Sequence, residues 1–184
     1  RDLAPFYEVE LTNDIFDKKL KKLDIAFINN APEACSHISF LKIDIEGEVA
    51  SYKGKLEEYF RDLSLNKNNF FTDISNYLSY ERGQPTHCYD AKKIKNSFSL
   101  ELIEEEKKFH SLTDKEIVIK DRNLVFLEDG EVINLAGVMG GKKTSCSANT
   151  KSVIVECAHF NPEEIIGKSV KYDIKSDAAH KFER

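Results

Sequence analysis

The spacing of apolar residues changes character twice along the chain. Tyr7, Val9 and Leu11 alternate with charged residues, as do Leu41, Ile43 and Ile45, and a period of two predicts strands with one buried face. Between them Phe16, Leu20 and Leu23 take helical spacing behind Asn13 and Asp14, which can cap a short helix. Val49, Tyr52, Leu56, Tyr59, Phe60 and Leu63 then share one stripe, with Lys53, Lys55, Glu57 and Glu58 turned to water. A polar linker over residues 66–69 leads to a second helix opened by Thr72-Asp73 and carrying Ile74, Tyr77 and Leu78. Gly83-Gln84-Pro85 stops it, because glycine takes the left-handed cap and proline cannot continue the ladder. Asp90 is expected to cap one further helical turn through Ile94.

From Ser97 the period returns to two, through Phe98, Leu100 and Leu102, Ile117 and Ile119, Leu124 and Phe126, then Val132 to Leu135. Turn residues at Thr113-Asp114, Asp121-Arg122 and Glu128-Asp129-Gly130 predict an antiparallel meander. Asn161-Pro162-Glu163-Glu164 reads as a short helix with proline in its first turn, and Ser176-Asp177 opens a last one. The fold class that follows is α+β, with antiparallel-rich sheets packed against several helices. Residues 1–184 form one compact unit of two intertwined lobes. The first, over residues 1–95, is helix-rich; the second, over residues 96–184, holds the meander, a glycine-rich loop and the last helices.

Composition narrows the function classes. A hydrophobic content of 41% with 32% charged residues is globular, and no apolar run approaches a membrane-spanning helix. A net charge of −5 argues against general nucleic-acid affinity, so any RNA contact is local. Cys35, Cys88, Cys146 and Cys157 are far apart, a pattern that fits reduced thiols in the cytoplasm rather than a zinc site. The chain opens on Arg1 and closes abruptly on Arg184, which predicts a piece excised from a longer protein.

The candidate chemistry centres on residues 132–158. An apolar strand ends in a turn carrying Gly137, Gly140 and Gly141, and a second apolar strand delivers Glu156 among Val, Ile, Cys and Ala. Glycine backbone lets a ligand approach closely, and a carboxylate in such surroundings needs a polar partner, inside the protein or on a ligand. The run from Gly137 to Thr144 resembles a phosphate-binding loop but fails, since Lys142 stands where the second glycine belongs and no helix follows. His87 follows the rigid Gly-Gln-Pro turn, with Asp90 near enough in sequence to orient its ring. A structural role for His87, an ordinary salt bridge for Glu156 and a surface position for Ser75 and Asn76 are the competing readings.

Four motifs in order change the weighting: Asp73-Ile74-Ser75-Asn76-Tyr77, Gly83-Gln84-Pro85-Thr86-His87-Cys88-Tyr89-Asp90, Leu135-Ala136-Gly137-Val138-Met139-Gly140-Gly141, and the closing Ser176-Asp177-Ala178-Ala179-His180-Lys181-Phe182-Glu183-Arg184. Together, over residues 70–184, they closely resemble the third and fourth domains of the bacterial-type phenylalanyl-tRNA synthetase beta subunit; residues 1–65 match only in pattern. The resemblance implies an editing module that hydrolyses tyrosine wrongly attached to the phenylalanine tRNA. Carried onto matching positions, it places His87 and Pro85 near the ester, Gly140 and Glu156 at the tyrosine hydroxyl, and Ala178 in the pocket wall. Ser75 and Asn76 fall where the family has a Thr-Asn pair near the scissile end. Tyr89 stands where the family has phenylalanine, adding a hydroxyl, and Cys88, Ala179 and Lys181 are further departures.

The implied partners are the 3′ end of the phenylalanine tRNA carrying tyrosine, the synthetase alpha subunit and the remaining beta-subunit domains, with no membrane. No cofactor is implied for this stretch; ATP and magnesium belong to the complete synthetase. A site built to hydrogen-bond a hydroxyl rejects the analogue lacking it by roughly 10⁴-fold or more, which would spare the phenylalanyl ester. The sequence shows no nucleophile, base and orienter set and no metal cluster, so the expected mechanism is metal-free attack by water positioned or deprotonated by His87. Two alternatives stay open: a structural, tRNA-positioning module without hydrolysis, and a free-standing small-molecule-binding or trans-editing domain.

Overall fold

Gly83 closes the longest helix among the described residues in the conformation that its sequence demands, with φ 76° in the left-handed region. The computed structural model describes residues 21–49, 52–95 and 97–184. The expected strand from Tyr7 to Leu11 and the helical residues Phe16 and Leu20 lie outside them.

The architecture is α+β, as the periodicity indicates. A five-stranded sheet runs in the order β1 (Ala26–Asn29), β4 (Ser97–Ile103), β7 (Asn123–Glu128), β8 (Glu131–Leu135), β9 (Met139–Gly140). A three-stranded sheet is ordered β2 (Cys35–Asp44), β10 (Ser152–Phe160), β3 (His87–Asp90). Apart from the parallel pair β1 and β4, the paired strands are antiparallel. Asp129 and Gly130 both take positive φ, 51° and 79°, the geometry of a tight hairpin whose twist matches its strands, and they join β7 to β8.

The meander differs from its sequence reading in one respect. Strands β5 (Lys107–His110) and β6 (Glu116–Ile119) pair with each other in a separate hairpin, so that β4 pairs with β7 across this insertion. Asp121, at φ 62°, therefore links two sheets rather than two neighbouring strands. Period-two patterning reports the buried face of a strand and is silent about its partner.

Helix α1 (Lys55–Asp62) starts later than its apolar stripe, with Gly54 at its N-cap. Tyr52 lies ahead of it and donates to Asp73 Oδ2 at 2.6 Å. Helix α2 (Phe70–Arg82) starts earlier than expected, because Asn69 is the cap and accepts from the Thr72 amide. Asp90 caps no helix: it ends β3, accepts from the Lys92 amide in a turn at 3.1 Å, and receives the Thr150 hydroxyl at 2.7 Å. The short helices α3 (Pro162–Ile165), α4 (Lys168–Lys171) and α5 (Asp177–Phe182) follow β10, the first and last capped by Asn161 and Ser176 as their sequences indicate.

The core lies between the two larger sheets. Phe27, Phe40, Phe98 and Phe126 form an aromatic cluster there, with ring centroids 4.7 to 6.3 Å apart. Ile154, Glu156, Ala158 and Phe160, one face of β10, are all buried on this side. A carboxylate in that row is the anomaly from which the candidate site grows.

Candidate active site

Strand β10 sits between β2 and β3, and its register sets Glu156 opposite Phe40 on one side and opposite His87 on the other. Directly paired residues share a face, so Glu156 and His87 point together toward the five-stranded sheet. Tyr89, two residues on from His87, shares that face and is the diagonal neighbour of Glu156.

The partner that Glu156 requires is internal. Tyr89 donates its hydroxyl to Glu156 Oε2 at 2.6 Å, and Asn134 Nδ2 donates to the Tyr89 oxygen at 2.7 Å and, more weakly, to Glu156 Oε2 at 3.5 Å. All three residues are buried. Burial pushes the Glu156 carboxyl up to about 7, against the opposing pull of the Tyr89 hydrogen bond. Burial also holds the Tyr89 phenol well above its ordinary range, reinforced by the neighbouring carboxylate.

His87 keeps some exposed surface, yet its Nε2 is buried without a hydrogen-bond partner. Burial pushes the imidazole down to about 4, so the ring is neutral near pH 7. Its edge packs against Gly140, where a Cβ would come within 2.2 Å of Cε1 and 2.8 Å of Nε2. Gly140 in turn pairs with Asn134 across β8 and β9. The expectation that Asp90 orients the ring does not hold, since its oxygens serve Lys92 and Thr150.

These residues open onto a cavity of about 60 Å³. His87, Pro85 and Thr86 form one side, Asn134, Gly137 and Gly140 a second, and Glu156, Phe160, Ala178 and Phe182 the rest, with Val138 and Met139. It has room for a few waters and is well below the ~150 Å³ that accepts a benzene ring. One wall is the short helix α5, latched to α2 by Lys181, which donates to the Ser79 carbonyl and hydroxyl, and by Tyr80, which donates to Asp177 at 2.5 Å.

Of the residues singled out in sequence, His87, Pro85, Gly137, Gly140, Glu156 and Ala178 line this one cavity. Ser75, Asn76 and Gly141 do not. Ser75 is buried behind the wall, where its hydroxyl contacts the Thr86 carbonyl at 2.6 Å and the Thr86 hydroxyl at 2.8 Å. Asn76 is exposed on the next position of α2. Gly141 serves the sheet: a Cβ there would stand 2.5 Å from the Ile133 carbonyl oxygen. Asn134 escaped sequence reading, although a lone amide inside the run Val-Ile-Asn-Leu-Ala is a signal that could have found it. Among the described residues no group of three His, Cys, Asp or Glu side chains is close enough to hold a metal ion, and no helix is long and apolar enough to cross a membrane.

Comparison with known proteins gives the family of the chain. Residues 43–184 match the model of the B3/4 domain family. The phenylalanine-tRNA ligase beta subunit of Ehrlichia canis is 32% identical over 130 residues, covering 70% of this chain and 17% of that protein. The same subunit from Francisella tularensis is 27% identical over 187 residues, covering 100% of this chain and 24% of its own length. The chain thus spans about a fifth of the curated relatives that it matches. An N-terminal fragment of the phenylalanyl-tRNA synthetase beta-subunit from Pyrococcus horikoshii has the same fold, with a TM-score of 0.55 at 13% identity over 79% of this chain and 46% of that one.

Proposed function

The chain belongs to the B3/4 domain family, with phenylalanine-tRNA ligase beta subunits among its relatives, and from that premise we propose that its cavity edits misacylated tRNA by hydrolysing a tyrosyl ester. The observation that carries this reading is the meeting of His87 and Glu156 as cross-strand partners in one cavity, with Gly140 between His87 and Asn134.

The chemistry divides between the two side chains. Glu156 is the acceptor for the hydroxyl of a tyrosyl group. His87 faces the ester end and is neutral, and its Nε2, buried while the cavity is narrow, would meet a water once the cavity widens around the ester. A base whose pKa lies near 4 takes a proton poorly at pH 7, so burial favours positioning of the water over its deprotonation. An aminoacyl ester is already activated, and a held water with an amide to steady the oxyanion is sufficient help. Pro85 and Ala178 shape the walls, Gly137 lets the turn close on Ile165, and Ser75 acts through Thr86 by fixing the strand that carries His87. Asn76 and Gly141 contribute outside the cavity.

Entry of an aryl ring requires the cavity to widen from about 60 Å³, and the α5 wall is the segment whose latch can yield. That size favours a second reading, a tRNA-positioning module of the ligase with an inert pocket. In either case the partners would be the charged 3′ end of the phenylalanine tRNA, the alpha subunit and the other beta-subunit domains, with ATP and magnesium acting in those other parts. Residues 1–184 would work as a single unit.

Deacylation of tyrosyl-tRNA by the synthetase carrying this chain decides between the two. Hydrolysis that falls by about 10²-fold or more in His87→Ala supports editing, on the scale of a lost acid–base or water-positioning group. Hydrolysis absent from the unaltered enzyme leaves the positioning module.

A further inference from the structure

A carboxylate that reads a ligand hydroxyl needs one oxygen left free and that oxygen aimed, because the terminal torsion of a glutamate is broad and turns readily. We propose that Tyr89, oriented by Asn134, is a positioning residue that holds Glu156 by Oε2 alone and so presents Oε1 to the cavity as the acceptor for an aryl hydroxyl, a role that rests on reading the cavity as an aryl-ester site. A ring without the hydroxyl leaves Oε1 unpaired, which is the condition for selection.

The hydrogen bonds around Glu156 run in one direction. Asn134 Nδ2 can only donate, and it donates to the Tyr89 oxygen at 2.7 Å. The phenol proton is thereby sent to Glu156 Oε2 at 2.6 Å, and Asn134 adds a longer contact to the same oxygen at 3.5 Å. Among the described residues no donor reaches Oε1, and Oε1 is not one of the unpartnered polar atoms sealed from solvent. Glu156 lines the cavity and Tyr89 does not, so the held oxygen lies on the protein side and the free one on the cavity side.

Tyr89 is itself firmly placed. It is fully buried, its ring meets His87 edge-on at a centroid distance of 4.5 Å, and it packs against Phe98 and Phe126 at 6.0 and 6.2 Å. Its hydrogen bond also opposes the burial that raises the Glu156 carboxyl, which keeps more of the ionised form, the stronger acceptor. Tyr89→Phe removes one oxygen and keeps the ring contacts. Asn134 then loses its nearest acceptor and draws the carboxylate out of its present plane, and Oε1 is no longer aimed.

The test measures binding of tyrosinamide and phenylalaninamide to this chain, with tyrosyl-tRNA hydrolysis followed on the synthetase carrying the same substitutions. In Tyr89→Phe the tyrosinamide affinity is expected to fall by about tenfold, the scale of one hydrogen bond to a charged group, while phenylalaninamide stays within about threefold. The infrared titration of the Glu156 carboxyl moves to higher pH at the same time. Loosened packing alone would weaken both amides together. In a Glu156→Gln background, Tyr89→Phe is expected to have no further effect on tyrosinamide, since the two residues act as a unit. Tyrosinamide affinity unchanged or raised in Tyr89→Phe, an equal loss for both amides, the same loss in the Glu156→Gln background, or an unaltered chain that binds neither amide overturns the inference. The expected binding pattern without tyrosyl-tRNA hydrolysis removes the editing reading alone, whereas hydrolysis with unchanged tyrosinamide affinity in Tyr89→Phe removes this inference alone.

Discussion

Glu156 and His87 are cross-strand partners that burial pushes in opposite directions, the carboxyl up to about 7 and the imidazole down to about 4. The pair is therefore not an ion pair. Near pH 7 the imidazole is uncharged, and any charge at this point of the core is negative and rests on Tyr89 and Asn134.

The opposite shifts make a stability signature. Glu156, raised from 4.5 to about 7, stabilises the fold fully below pH 4.5 and loses that contribution as pH rises through 7. His87, lowered from 6.5 to about 4, stabilises it above pH 6.5 and loses that contribution as pH falls through 4. Each is worth about 3 kcal/mol at about 1.4 kcal/mol per pKa unit, so the two nearly cancel between pH 4.5 and 6.5. Denaturant titrations should show Glu156→Gln losing stability toward acid and His87→Gln losing it toward neutral pH, relative to the unaltered chain. Parallel profiles in all three would refute the assignment.

Gly140→Ala places a methyl group within 2.2 Å of His87 Cε1. The ring must turn away from β9, and overpacking of this kind costs about 1–3 kcal/mol. The expected outcome is a lowered unfolding midpoint together with loss of tyrosyl-tRNA hydrolysis, read by thermal unfolding and a deacylation assay. A variant as stable and active as the original would show that the imidazole position is unimportant.

Gly141→Ala separates structure from ligand binding. Its Cβ would meet a backbone oxygen at 2.5 Å, and backbone yields less than a side chain, so a loss of about 2 kcal/mol or more is expected. Tyrosinamide affinity of the folded fraction should be nearly unchanged, because Gly141 does not line the cavity.

Ser75→Ala and Asn76→Ala form a contrast on neighbouring positions of α2. The first removes the hydroxyl that contacts Thr86 at 2.6 and 2.8 Å and should destabilise by about 1–2 kcal/mol. The second alters an exposed side chain and should stay within about 0.5 kcal/mol. A large drop in tRNA deacylation for Asn76→Ala at unchanged stability would mark it as a contact to the tRNA end rather than to the cavity.

The sequence carried much of this fold because strand and helix periods are local properties. Gly83, Asn161 and Ser176 ended or began helices where their chemistry indicated. Pairing is a long-range property, and so the separate β5–β6 hairpin and the insertion of β10 between β2 and β3 were not legible. The same division applies to the site. Glu156 announced itself as a carboxylate in an apolar strand, but that its partner is Tyr89 depends on a diagonal contact between strands whose residues stand 67 apart. Gly141 was misleading for the opposite reason: close backbone approach to a ligand and to another strand leave the same glycine in the sequence.

The central place of β10 also has a consequence for how the protein is made. During synthesis, β2 and β3 emerge well before the strand that joins them, and closing that gap carries the entropic penalty of a long loop. Until residue 160 has left the ribosome, both strands expose unpaired backbone along the edges that β10 will fill. The nascent chain thus passes through an interval in which its most association-prone surfaces are uncovered, and slowing elongation just before Ser152 should lengthen that interval and lower the yield of soluble protein.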